Sequence, residues 1–174
     1  MHKISRPQST DAPAWYPDFW ALAPGDDLIT ALQQNQQEVQ RTLLLLRSEQ
    51  LERRYAANKW TLKQVLIHLA DEERYYAYKA FCCSRAVGVF LEVPMSAAYC
   101  ADFNASNRGY EDICAELIAV RASSIALFQT MSPAMLDLRD DSRAEPYTAR
   151  SIGWFIAGHS NHHLKIIHEK YLTT

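Results

Sequence analysis

The segment AGHSNHHLKIIHEKYL, residues 157–172, places four of the chain's six histidines within ten positions. Near pH 7 imidazole can ligate a divalent metal or shuttle a proton, so such a cluster offers two kinds of chemistry. On a helix turning about 100° per residue, His159 and His163 lie about 40° apart and one turn from each other, so both rings can reach one ion. The apolar side of that helix centres about 20° from His159, which turns His159 and His163 inward, whereas His162 falls about 80° off it. An inward imidazole without partners costs on the order of 1–3 kcal/mol, and metal ligation would remove that cost.

A third ligand has to come from a facing helix. His68, in VLIHLADEER, is the other histidine inside a helical pattern, since His2 and His168 sit near the chain ends. It stands about 110° from the centre of its helix's apolar face, in a stripe with Gln64, Asp71, Glu72 and Tyr75 that either lines a cleft or faces water. Glu72, one turn beyond His68, reads as a surface carboxylate, an extra ligand or a base, and Tyr75 is a second candidate for acid–base work. On spacing alone, metal binding by His68, His159 and His163 and a set of merely satisfied or exposed histidines both stand, because HxxxH pairs arise by chance on helices.

The elements that must position these residues follow from periodicity and caps. Leu28, Leu32, Val39, Leu43 and Leu46 keep helical spacing from Asp26 or Asp27 to about Arg47. Thr61, Gln64, Trp60 and Val65 form a capping box and hydrophobic staple that start the His68 helix, which runs to about Arg85. Tyr110, Ile113, Leu117, Val120, Ser124, Leu127 and Met131 mark a third helix ended, or followed by a turn, at Pro133. Thr148 or Ser151 caps a fourth, to about Tyr171, that carries the histidine cluster.

Between the second and third helices, residues 86–105 hold no sustained period and read as a long crossover, with a short helix or a hairpin inside it. The first 24 residues carry four prolines with Trp15, Tyr16, Phe19 and Trp20, which suits an extended arm anchored on the body by aromatics. The expected architecture is one all-α domain over 1–174, a four-helix bundle with a long crossover and an N-terminal arm over 1–24. Trp154, Ala157 and Leu164 form a second apolar stripe, either a homodimer surface or packing for the arm.

Composition narrows the partners. A formal net charge of −2 and the lack of any lysine/arginine tract argue against nucleic acid. No apolar run serves as a signal peptide or spans a bilayer, which leaves a cytoplasmic location as the expectation. Four cysteines, Cys82, Cys83, Cys100 and Cys114, contain no CxxC and read as free thiols.

The segments NKWTLKQVLIHLADEERYYAYKAFCCSR and SIGWFIAGHSNHHLKIIHEKYL resemble the DinB superfamily, its DinB/YfiT-like metal-dependent members in particular, in the KW-Thr entry, a histidine followed by D-x-ER, and a GHxxHH close. The resemblance implies a four-helix bundle with a divalent ion, zinc or nickel, held by three histidines that map onto His68, His159 and His163. It further implies a small-molecule substrate and either thiol S-transfer with a low-molecular-weight thiol cosubstrate or hydrolysis. A non-catalytic metal- or ligand-binding homodimer is the competing reading, because a fold match does not carry a reaction with it. Where relatives carry Glu after the first histidine of GHxxHH this chain has Ser160, and Glu72 stands where a small hydroxyl residue is common. Asp71, Glu73 and Arg74 match D-x-ER; Glu73, near the apolar side, needs a partner, and Arg121 in the third helix is the candidate for a structural ion pair.

Overall fold

The computed structural model describes residues 2–85, 107–140 and 146–172. Four long helices form the body: α2 (Leu28–Leu45), α3 (Leu62–Ser84), α4 (Tyr110–Gln129) and α6 (Ala149–Ile166). Shorter helices are α1 (Tyr16–Trp20) and α5 (Pro133–Leu136), and α6 runs on into a π-helical turn, Ile167–Tyr171. The expected crossover at 86–105 lies outside the described residues, as does Cys100. No described helix is long and apolar enough to cross a membrane.

The helix starts are where side-chain chemistry puts them. Asp27 accepts from the Thr30 amide at 3.0 Å and caps α2. At α3, Gln64 N donates to Thr61 Oγ1 at 3.1 Å while Thr61 N donates to Gln64 Oε1 at 2.9 Å. Thr148 and Ser151 close the same reciprocal box on α6, so both candidate caps take part. Each such cap is worth about 1 kcal/mol. Just before α6, Arg139–Asp140 and Tyr147–Thr148 pair as a two-residue antiparallel ladder, too short to leave an alternating pattern in the sequence.

Helix α3 packs against both α4 and α6. It is consequently buried well beyond its apolar stripe: Gln64, His68, Glu72 and Glu73 are all buried. The reading of Glu72 as a surface carboxylate is therefore corrected, and the stripe around His68 does not face water. Arg121 of α4 meets Glu73 in a two-pronged ion pair, Nε and Nη2 donating to the two carboxylate oxygens at 2.7 and 2.8 Å. Its third nitrogen donates to Asn35 of α2, and Asn35 in turn to Asn161 of α6. Asn161 then donates to the Leu22 carbonyl at 2.9 Å. One polar chain thus ties the four long helices to the arm.

The arm is more folded than an extended strand, since Ser9–Asp11 forms a 3-10 turn and Tyr16–Trp20 a helix with Pro17 in its first turn. Arg6 donates to the carbonyls of Trp20, Ala23 and Gly25 and lays its guanidinium 4.4 Å above Trp154. Trp154 Nε1 donates to the Ser5 carbonyl at 2.9 Å. Trp154, Ala157 and Leu164 are all buried. That stripe is packing within the chain, which removes it as a homodimer surface.

Candidate metal centre

Helix α6 presents His159 and His163 one turn apart, and their Nε2 atoms stand 3.1 Å from each other. Helix α3 brings His68 against both, with ring centroids 5.2 Å from His159 and 4.8 Å from His163. One ring nitrogen from each residue lies within 4.8 Å of those of the other two. His162, on the same helix, lies half-buried beside Phe19 and His163 and is not part of this cluster. His168 faces α2, its Nε2 2.9 Å from the Thr42 hydroxyl.

The close approach of α1 is what closes the cluster on one side. A Cβ at position 158 would sit 1.8 Å from the Phe19 carbonyl oxygen, so Gly158 is what lets the arm lie across α6 next to His159. Phe19 then packs against His159 at 5.9 Å, Phe155 stacks on the same ring at 5.4 Å, and Trp60 covers His68 at 4.7 Å. Apolar residues at 19, 60 and 155 gave no chemical signal in the sequence; only the fold makes them walls.

Burial dominates the electrostatics. It pushes the His68 imidazole down to about 4. His163 is pushed to about 3 by burial and then by the neighbouring His68 and His162. His159 falls well below the ordinary value through burial, reinforced by His163 and His68. All three rings are neutral near pH 7, the protonation state a metal requires.

The donor set suits a divalent ion. Metal–nitrogen bonds of about 2.0–2.1 Å put two tetrahedral ligands roughly 3.3 Å apart, close to the His159–His163 separation. Three neutral nitrogens, the ligand set found among the described residues, is also the protein donor count of open rather than closed sites. Beyond the rings, Glu72 Oε1 lies 4.0 Å from His68 Nδ1, longer than a hydrogen bond but in the direction of a carboxylate–histidine–metal arrangement. His163 Nδ1 is buried with no hydrogen-bond partner among the described residues.

The sequence profile of the DinB superfamily matches residues 31–167. The chain belongs to the DinB superfamily. Among solved structures, the fold of this DinB chain is similar to that of YfiT from Bacillus subtilis, described as a probable metal-dependent hydrolase with an unusual four-helix bundle topology. The two are 16% identical, with a TM-score of 0.71 over 94% of this chain and 90% of that one. No curated protein matches the chain significantly. At such identity the likeness establishes the fold.

Of the remaining candidates in this DinB bundle, Tyr75 is partly buried with its ring 5.0 Å from that of Tyr76. Burial and then the Glu72 charge raise the Tyr76 hydroxyl above its ordinary range. Ser160 is buried and lines a small cavity with Glu73, Arg121 and Gln36.

Proposed function

We propose that the protein is a divalent-metal enzyme acting on a small molecule, with His68, His159 and His163 holding zinc or nickel. The observation that carries this reading is the convergence of three neutral imidazole nitrogens from two helices within 4.8 Å. The superfamily assignment and the description of the structurally similar YfiT support it. When bound, such an ion supplies Lewis acidity, making water or a thiol a nucleophile near neutral pH.

The chain's own residues contribute orientation and exclusion of water. Phe19, Phe155 and Trp60 form an apolar wall around the rings that strengthens electrostatic interactions at the site. Glu72 is placed to orient His68 through Nδ1 once the 4.0 Å gap closes. Both hydrolysis and thiol S-transfer fit this arrangement, and a low-molecular-weight thiol is the cosubstrate for the second. Thiol transfer is the preferred reading, on the superfamily resemblance.

Elemental analysis of the purified, untagged protein tests the site directly. About one metal per chain is expected, lost in His68→Ala, His159→Ala and His163→Ala and kept in His162→Ala. Turnover of an electrophile by the metal-replete protein that requires an added thiol would support transfer, and turnover without thiol would support hydrolysis. Absence of metal after incubation with zinc or nickel would overturn both.

A further inference from the structure

A cavity of about 280 Å³ opens beside the triad, lined by Tyr55, Trp60, Val65, His163, Ile166 and Tyr171 together with the exposed Asn58 and Lys59. It touches the cluster through His163, and neither Phe19 nor Phe155 is among its lining residues. Larger clefts between α3 and α4 and under the start of α2 contain none of the three histidines among their lining residues.

The walls are braced. Tyr171 Oη donates to the Trp60 carbonyl at 2.6 Å, Tyr55 packs edge-on against Tyr171 at 5.3 Å, and Arg53 donates to the Tyr171 carbonyl at 3.0 Å. Arg54 donates to the Lys59 carbonyl at 2.6 Å and fixes the loop that carries Lys59. A braced aromatic cavity fixes a flat guest without reorganising. Its volume lies just under the ~300–1,000 Å³ range of drug-sized pockets, which suits roughly a dozen non-hydrogen atoms.

Charge gives the guest its polarity. None of the lining residues is acidic, and Lys59, the basic side chain among them, is exposed. We propose that this cavity is the substrate pocket of the triad and takes a small molecule with a flat apolar body and one anionic group, the anion meeting Lys59 at the mouth while the body lies between Trp60, Tyr55 and Tyr171. The proposal rests on the metal reading for its chemistry, though the pocket itself is built without the ion. A guest in this cavity also lies against His163, whose Nδ1 is buried without a hydrogen-bond partner among the described residues.

The test titrates the full chain, metal-replete and metal-free, with 3-phenylpropionate and its neutral analogue 3-phenylpropanol, read by ligand-observed NMR. The acid is expected to bind about threefold to fivefold more tightly than the alcohol, the size of an exposed charge pair. Lys59→Met should abolish that preference while leaving alcohol binding in place. Trp60→Ala should weaken both ligands by about tenfold or more, a stacked aromatic wall being lost. Lys59 is exposed, so its variant folds whether or not the Trp60 variant does. Equal binding of acid and alcohol, a preference that survives Lys59→Met, or one that disappears with the metal would overturn the proposal. Failure of the metal reading shows separately, as absence of metal in the wild-type chain with ligand selectivity intact.

Discussion

His159 and His163 direct their Nε2 atoms at each other across 3.1 Å. Two neutral rings can share one proton there, and a third ring, His68, brings a ligand atom within 4.8 Å of both. A cation that accepts all three lone pairs resolves the arrangement. Zinc or nickel should therefore raise the thermal midpoint in a concentration-dependent way, free ligand at a hundred times its Kd adding about 2.7 kcal/mol. Differential scanning calorimetry of His163→Ala should show no such rise; an equal rise in that variant would place the ion elsewhere.

The depressed imidazoles make the metal-free protein acid-sensitive. His68 titrates near 4 when folded against an ordinary 6.5, so between those values the unfolded chain binds the extra proton. Stability is therefore at its plateau above pH 6.5 and falls as the pH drops towards 4. At about 1.36 kcal/mol per pH unit, His68 accounts for at most about 3 kcal/mol of that fall. Urea unfolding of the metal-free chain at pH 7.5, 6, 5 and 4.5, beside His68→Gln, isolates this share from that of the carboxylates. Identical pH slopes for the two proteins would refute it.

The helices that carry the site were legible because their signals are local. Thr61 with Gln64 and Thr148 with Ser151 are three residues apart, and the His159–His163 spacing is one helical turn. The inward setting of Glu73 also pointed across the bundle to Arg121. What escaped depends on packing between distant segments. The helical wheel set His68 and Glu72 off the apolar face of α3, yet α3 is flanked by both α4 and α6, and a helix buried on several sides has no single wet face to detect. Nothing local in the sequence links Asn35 to Asn161, which meet only where α2 packs on α6. The pocket wall at Tyr55, Trp60 and Tyr171 joins the α2–α3 loop to the last turn of the chain, a juxtaposition with no periodicity of its own.

The buried ion pair should behave asymmetrically. Arg121→Met leaves the Glu73 carboxylate buried without its two donors, and uncompensated buried charges cost about 3–5 kcal/mol. Adding Glu73→Leu to it removes the stranded charge, so the double variant should be more stable than Arg121→Met alone. Chemical denaturation of the wild type, Arg121→Met, Glu73→Leu and the double variant decides the matter. A double variant at the sum of the two single losses would show that the pair is not coupled.

Two glycines should respond differently to the same added methyl group. At Gly25, with φ of 67° and open space around it, alanine meets only the backbone penalty of the left-handed region, about 1–2 kcal/mol. At Gly158 the new Cβ would fall 1.8 Å from a backbone oxygen, which no rotamer change relieves, so α1 must move off α6. Displacing α1 also removes Phe19 from His159. Gly158→Ala should thus expose the arm to limited proteolysis within residues 1–24 and weaken metal retention, while Gly25→Ala lowers stability with the metal retained. Mass spectrometry of the digests, with metal content measured on the same samples, reads both effects. A proteolysis-resistant arm in Gly158→Ala would mean that α6, not the arm, gives way.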